Sequence, residues 1–319
     1  MSDEDGRRLA AAAGLAERAR PSSHPNPAVG AILTQGGAVV GRGWTGAGGR
    51  PHAEAVALQQ AGAAARGATL YVTLEPCAHD SQRGPACADL LVDAGIVRAV
   101  IGVRDPDPRT AGEGIARLEA AGIGVTLTDS QSCRDSLAGY LMRASEGRPF
   151  VTLKLALTAD GFIARKDGTS QWITGEAARA HAHRERARSD AILVGGDTLR
   201  TDRPRLDVRL PGLEGRSPCR FVLTRGAAPE GWTALSKPAD IAGLDAQYLL
   251  IEGGAEVADG FLAAGLVDRL LLYRAPVEFG EGIAAFGDPG SSGVPTGWSM
   301  ADRRRLGSDT LEVYTRAKP

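Results

Sequence analysis

Apolar and polar residues alternate along this chain with two different periods, and the switches between them lay out the elements. Over residues 4–20, Leu9, Ala12, Ala13, Ala16 and Ala19 recur at helical spacing, predicting an amphipathic helix closed by Pro21. The apolar run 29–34, the turn Gln35-Gly36-Gly37 and the run 38–44 predict a hairpin. A helix over 52–64 would turn Ala55, Leu58 and Ala61 or Gly62 inward. Beyond it, residues 69–75 alternate Leu70, Val72 and Leu74 with Tyr71 and Thr73, as a strand does. Helices at 88–94, 112–121 and 132–146 then alternate with strands at 98–103 and 124–128. Such alternation predicts an α/β unit, a mixed sheet with helices on both faces.

Gly147-Arg148-Pro149 ends one helical pattern and precedes a fresh apolar strand at 150–157, so two units are expected, 1–147 and 148–319. The second repeats the α/β pattern. Strands are expected at 190–195, 219–224, 248–252, 267–273 and 310–315, and helices at 176–188 and 257–264. Residues 212–217 and 287–297, rich in Gly, Pro and Ser, read as loops. Two strand ends carry glycine pairs, Val194-Gly195-Gly196-Asp197-Thr198 and Glu252-Gly253-Gly254-Ala255. Each leads toward a helix, an arrangement that either brings backbone amides to a phosphate or simply makes a tight turn. Neither is a GxGxxG dinucleotide fingerprint.

Composition narrows the function. The 319 residues carry 37 basic and 38 acidic side chains, a net charge of −1, and show no basic field of the kind that dominates nucleic-acid binding. A small-molecule substrate is the better expectation. The first residues lack the basic, apolar and cleavage regions of a secretory leader, so the four cysteines are expected to be reduced thiols in a cytoplasmic protein. No run is long and apolar enough to predict a membrane span.

The chemistry concentrates at Pro51-His52-Ala53-Glu54, Glu75-Pro76-Cys77 and Cys87. A His-x-Glu opening a helix, followed by Pro-Cys and a second Cys, is the pattern of zinc deaminases acting on nucleobases. One imidazole and two thiolates, from His52, Cys77 and Cys87, would hold zinc with a position left open for a water made acidic by the metal. Glu54 would be general base and then general acid. Cys77 is expected just past a strand end and Cys87 at a helix start, which favours a thiolate. Two other readings stand beside this one. His52 and Glu54 could be an ordinary helix start with core thiols nearby, or the zinc could be a closed structural site with His79 as fourth ligand.

With these pieces placed, the chain resembles the bifunctional deaminase-reductase family of riboflavin biosynthesis over nearly its whole length. In the first half the resemblance rests on His24-Pro25-Asn26-Pro27-Ala28-Val29-Gly30, the metal-site motifs, Cys87-Ala88-Asp89 and Asp105-Pro106-Asp107-Pro108. In the second it rests on Lys154-Leu155-Ala156, Ala159-Asp160-Gly161, Ser170-Gln171-Trp172-Ile173-Thr174-Gly175, Asp190-Ala191-Ile192-Leu193-Val194-Gly195 and Glu252-Gly253-Gly254. Single-domain cytidine, guanine and tRNA-adenosine deaminases share only the zinc site.

The resemblance implies a cytidine-deaminase-like unit followed by a dihydrofolate-reductase-like α/β unit, with zinc and NADPH as cofactors. The first would hydrolyse the ring amine of diaminohydroxyphosphoribosylaminopyrimidine, and the second would reduce the attached phosphoribose to its ribityl form. It also implies a homo-oligomer. By position, Asn26 matches a pyrimidine-binding residue and Arg83 a basic residue near the deaminase substrate. Lys154 and Glu252 match positions tied to reduction, Glu252 also contacting substrate. Ser170, Arg186, Leu206 and Arg209 match substrate positions, the two arginines suiting a phosphate. Ala156, Trp172, Thr198, Asp202 and the turn Gly254, Ala255, Glu256, Val257, Ala258, Asp259 and Gly260 match NADPH positions. Taken alone, Trp172 would read as core packing and the charged residues as solvated surface.

The chain departs from the family pattern in places. Nine residues separate Cys77 from Cys87, one more than the family pattern, and Thr45 stands where a histidine is frequent. Arg203 replaces the second acid of an Asp-Asp pair, residues 226–246 are short, and Arg225 replaces a smaller polar residue. Just past a strand end, Arg225 is expected to pair with the 2'-phosphate of NADPH. Two alternatives follow from these features and from the shared zinc motif: an active deaminase joined to an idle reductase unit, and a zinc module acting on nucleic acid.

Overall fold

The computed structural model describes residues 2–79, 84–170, 172–286 and 294–316, and the chain divides into two compact units, Met1–Gly147 and Arg148–Pro319. In the first, α1 (Asp3–Ala16) precedes the hairpin β1 (Gly30–Gln35) and β2 (Ala38–Trp44). Then come α2 (Ala53–Ala61), β3 (Thr69–Leu74), α3 (Cys87–Ala94), β4 (Arg98–Val103), α4 (Glu113–Ala120), β5 (Gly124–Leu127), α5 (Gln131–Ser136) and α6 (Ala138–Glu146). The sheet runs β2-β1-β3-β4-β5, antiparallel at β1 and parallel from β3 to β5. Helices cover both faces: Gly30 abuts α1 at Ala12, whereas Gly43, on the opposite face, abuts α2 at Ala53.

Three boundaries differ from the sequence expectation, each for a local reason. The first helix stops at Ala16, four residues before Arg20, because Arg18 and Ala19 donate three residues back to Leu15 and Ala16 and tighten the chain into turns. The α2 helix ends at Gly62, whose φ of 53° leaves the helical region. The expected helix over 132–146 is two helices that break at Leu137. Ser136 Oγ donates to Cys133 O at 2.9 Å, competing with the helical ladder.

The second unit comprises β6 (Phe150–Leu157), β7 (Phe162–Ala164), α7 (Glu176–Arg186), β8 (Ala191–Gly195), α8 (Gly196–Asp202), β9 (Cys219–Leu223), β10 (Thr233–Leu235) and β11 (Tyr248–Ile251). It continues with α9 (Ala255–Ala263), β12 (Arg269–Arg274), β13 (Ile283–Ala284), β14 (Trp298–Leu306) and β15 (Asp309–Arg316). Eight strands form one sheet in the order β10-β9-β8-β11-β6-β12-β15-β14, parallel through β12 and antiparallel at β15 and β14. The buried residues of β6, β8, β11 and β12, with Phe261 and Ala258 of α9, make its main core. The C-terminal ends of β8 and β11 are neighbours in this sheet, so the two glycine-bearing turns lie side by side where open α/β sheets bind ligands.

Candidate functional site

In the first unit the sheet fixes both halves of the metal site. The start of α2 sits directly on β2: a Cβ at Gly43 would lie 2.1 Å from Ala53 O, so glycine there lets the helix approach. His52 is the N-cap residue of that helix, and Glu54 lies in its first turn. Across the sheet, the Glu75 carboxylate accepts N–H bonds from Asp105, Gly112, Gly114 and Ile115 at 2.9–3.2 Å. This clamp ties the end of β3 to the β4–α4 connection and holds the turn that carries Cys77. Cys87 opens α3 and donates its backbone N–H to Cys77 Sγ at 3.3 Å. The neighbouring Cys87 thiol, His52 and that bond hold Cys77 well below the ordinary thiol range, favouring a thiolate.

His52 Nδ1 lies 3.2 Å from Cys87 Sγ and 3.5 Å from Cys77 Sγ, and the three donor atoms fall within 4.8 Å of one another. Tetrahedral zinc with ordinary bond lengths separates N from S by about 3.5 Å and S from S by about 3.8 Å, so the donor set fits that ion. It is the single such cluster among the described residues. His79 is not part of it; its Nδ1 faces Thr110 Oγ1 at 3.4 Å. Three ligands without a fourth side chain among the described residues are the arrangement of a catalytic zinc and not of a closed structural one.

Glu54 is buried beside this cluster. Burial pushes its carboxyl up to about 7 against the pull of His52, and a divalent cation at the three donors opposes that rise. Asn26 packs on Gly49 in the segment leading to His52: a Cβ on Gly49 would lie 2.3 Å from Asn26 Cγ. Thr45 is buried. Its Oγ1 accepts from Val29 N at 2.9 Å and donates to Pro27 O at 3.0 Å, fixing the chain just after Asn26. Arg50, which the sequence pattern does not single out, places its charge on His52 and Cys87. Arg83 lies outside the described residues, as does Gln171.

In the second unit a cavity of ≈ 660 Å³ opens over the C-terminal ends of β8 and β11. Its lining brings together Lys154, Ala156, Ser170, Trp172, Arg186, Thr198, Asp202, Leu206, Arg209, Glu252, Gly254 and Ala255. Trp172 is 71% exposed there and stacks under Arg179, with 5.0 Å from guanidinium carbon to ring centroid, so it is no core residue. The glycine turns have a packing cause as well as an open side. Cβ atoms on Gly195 and Gly253 would meet Val257 of α9 at 2.7 and 2.8 Å, whereas Gly254 meets only Thr198 Oγ1, at 3.8 Å. Val257 and Ala258 are therefore buried supports, Glu256 and Asp259 are exposed, and Gly260 is half-buried. Arg225 is exposed just after β9, outside the cavity lining, and makes no hydrogen bond or ion pair among the described residues.

Glu252 is the electrostatic centre of the cavity. Arg186 grips it with Nε to Oε1 at 2.6 Å and Nη2 to Oε2 at 2.9 Å, and Lys154 Nζ lies 3.7 Å from Oε2. Burial alone would raise the Glu252 pKa, but these two cations outweigh it and hold the carboxyl down at about 2. Arg186 also donates Nη1 to Asp207 O at 3.1 Å, so all three of its nitrogens already face protein acceptors. Arg209 is more than half exposed on the cavity wall, beside His183. Of the two cysteines without an expected role, Cys133 is buried and Cys219 is exposed.

Fold and site define the class: a zinc deaminase unit joined to an NADPH-dependent reductase unit. Residues 2–103 match the cytidine and deoxycytidylate deaminase zinc-binding region, and residues 149–235 and 240–311 match the RibD C-terminal domain. The riboflavin biosynthesis protein RibD of Corynebacterium ammoniagenes is 41% identical over 289 residues, covering 85% of each chain. Acinetobacter baumannii RibD superposes with a TM-score of 0.87 at 33% identity over 99% of both chains. A diaminohydroxyphosphoribosylaminopyrimidine deaminase/5-amino-6-(5-phosphoribosylamino)uracil reductase from Thermotoga maritima superposes with 0.86 at 29% identity, covering 98% of this chain and 99% of that one. The chain belongs to the RibD family, the bifunctional deaminase-reductases of riboflavin biosynthesis. Nothing in these matches favours an idle reductase unit or a nucleic-acid substrate.

Proposed function

We propose that the chain carries out two successive steps on one pyrimidine ribosyl phosphate: hydrolysis of the ring amine of diaminohydroxyphosphoribosylaminopyrimidine, then reduction of its phosphoribose. The observation that carries this reading is the presence, in one chain, of the His52, Cys77 and Cys87 donor set beside buried Glu54 and of the Lys154, Glu252 and Arg186 cluster lining a separate cavity.

In the first step His52, Cys77 and Cys87 would hold zinc, whose Lewis acidity would make water deprotonable near neutral pH. A Glu54 carboxylate oxygen takes a proton from the attacking water and returns it to the departing amine, which leaves as ammonia. Asn26, held against Gly49 and followed by the segment that Thr45 fixes, orients the pyrimidine edge. By resemblance, Arg83 is a basic residue near the deaminase substrate.

In the second step the hydride would come from NADPH held in this cavity. The Lys154 ammonium donates to the sugar ring oxygen, which takes a proton as its bond to C1 breaks and the open-chain imine carbon C1 becomes free to accept the hydride, and Glu252 holds that ammonium in place. Because Arg186 is already committed to Glu252 and Asp207, its part is to orient Glu252, and Arg209, more than half exposed although its Nε lies 3.5 Å from Asp207 Oδ1, takes the phosphate. Ser170 and Leu206 complete the sugar side. Trp172, Ala156, Thr198 and Asp202 border the nicotinamide side, and the start of α9 at Gly254 and Ala255 presents free amides to the cofactor's pyrophosphate.

Arg225 pairs with the 2'-phosphate. Arg225→Ala is expected to lower the preference for NADPH over NADH by roughly tenfold, the worth of a charge-assisted contact, with kcat for NADPH little changed. An unchanged preference in side-by-side NADPH and NADH kinetics removes Arg225 from that role.

The balanced charge supports a small molecule over nucleic acid as the substrate, and among the described residues no helix is long and apolar enough to cross a membrane. The family resemblance supports a homo-oligomer working in the cytoplasm. Supplying the diaminopyrimidine phosphate with and without NADPH separates the two half-reactions and tests the whole assignment.

A further inference from the structure

Lys154 is held from more than one side. It projects from β6 toward the face that α7 covers; Leu271 of β12 is its direct cross-strand partner, and Tyr273 lies one pair further along on the same face. Tyr273 is 1% exposed and presents its ring to the lysine, with Nζ 5.8 Å from the ring centroid. The same Nζ lies 3.7 Å from Glu252 Oε2. A carboxylate and an aromatic face both attract a cation, so each contact favours the same ammonium position.

The phenol is fixed in turn. Its oxygen lies 2.7 Å from Nδ1 of the buried His181, one residue before the cavity-lining Ala182 on α7. On the other side of the imidazole, Nε2 lies 3.0 Å from Arg184 Nη2 and 3.1 Å from Arg304 Nη2. A guanidinium has donors and no acceptor, so Nε2 must be the lone pair and the ring's single proton must sit on Nδ1. The Nδ1–H therefore donates to the Tyr273 oxygen. The opposite tautomer would set an N–H against two cations. Burial, helped by the charges of Arg184 and Arg304, holds His181 down at about 4, in keeping with a neutral ring. The chain of contacts thus runs from two arginines through a tautomer-locked imidazole and a buried phenol to the underside of Lys154.

We propose that Tyr273 and His181 are positioning residues for reduction: the Tyr273 ring, locked by the His181 N–H, holds the Lys154 ammonium where it meets the sugar oxygen. Neither side chain lines the cavity, so both act through Lys154. The proposal rests on the assignment of Lys154 to the sugar oxygen. Nothing in the local pattern of the sequence announces it, because the residues involved come from β6, α7, β12 and β14.

The test compares Tyr273→Leu, His181→Leu and His181→Asn with the unaltered full chain, Asn keeping an N–H donor near the Nδ1 position. With the deaminated pyrimidine phosphate as substrate, Tyr273→Leu and His181→Leu are expected to lower reductase kcat about fivefold, the scale of one cation–π contact, with KM for NADPH unmoved. His181→Asn is expected to restore kcat to within about twofold. The second readout needs no cofactor: the acetylation rate of Lys154 by limiting acetic anhydride, followed by peptide mass spectrometry. It is expected to rise severalfold in both leucine variants, because the ring face no longer covers and restrains the amine. Should Tyr273→Leu fail to fold, the His181 pair decides alone. An unchanged Lys154 labelling rate, or kcat within twofold of the parent in folded leucine variants, overturns the proposal. Reductase activity surviving in Lys154→Met would instead remove the assignment of Lys154 itself, while the labelling rate still reports whether Tyr273 and His181 hold it.

Discussion

Glu54→Gln is expected to stop ammonia release almost completely, by roughly 10³-fold or more, while the protein keeps its zinc and its fold. Glutamine preserves the shape of a side chain that is buried beside the donor set, and none of the three metal donors is altered. What it removes is the carboxylate that, on the proposed mechanism, accepts the water's proton and returns it to the amine. Stability should hold, since glutamine fills the same buried space as the carboxylate it replaces. Metal analysis, thermal unfolding and an ammonia assay on one preparation check all three points. Near-parental ammonia release from a zinc-loaded Glu54→Gln chain would take Glu54 out of its role.

The largest effect expected in the second unit is from Glu252→Gln. Its carboxylate answers two cations, both largely buried: Arg186 and Lys154 are 13% and 20% exposed. Without it, both charges lose their partner in a poorly solvated site, and breaking a pair from one side costs about 3 kcal/mol or more. Reduction should fall to a small residue of the parental rate, because Lys154 is no longer oriented, whereas ammonia release in the first unit should persist. The pH dependence follows from the same charge pairing. A carboxyl held at about 2 instead of its ordinary 4.5 contributes roughly 3 kcal/mol at neutral pH. That contribution is fully present above the unfolded value and is lost as pH falls from about 4.5 through the folded value near 2. Denaturant unfolding of the parent between pH 6 and 3 should therefore lose stability that Glu252→Gln has already lost, and the two curves should converge toward acid. Curves that stay parallel would show that Glu252 is not held as an ion pair.

Local pattern revealed the alternation of strands and helices and the three metal donors, because both depend on short-range information. Strand period, helix period and turn residues place His52 at a helix start, Cys77 after a strand and Cys87 at the next helix start, and topology then brings those ends together. The β14 strand escaped notice for a physical reason: at the sheet edge nearly all of its residues are exposed, so Ser299 to Arg305 carry no period-two apolar signal. The glycine pair at 195–196 signals a helix ahead but not its bounds, because α8 begins within the pair, at Gly196. Arg186 read as a phosphate ligand by resemblance, yet its engagement by Glu252 depends on residues 66 positions apart along the chain, a contact visible only once β11 and α7 are placed. His181 and Tyr273 are of the same kind. Alone, each reads as a buried polar side chain, and only their shared hydrogen bond and the ring under Lys154 connect them to the cavity.

The central claim is that one chain deaminates and then reduces the same pyrimidine ribosyl phosphate. The most direct measurement follows ammonia and NADPH together after addition of the diaminopyrimidine phosphate to the zinc-loaded chain. Without NADPH, ammonia should accumulate and the deaminated phosphoribosyl compound should persist. With NADPH, about one equivalent should be oxidised for each ammonia released, in keeping with one hydride per reduced sugar carbon. Absence of ammonia, or ammonia released with no oxidation of NADPH, would contradict the account.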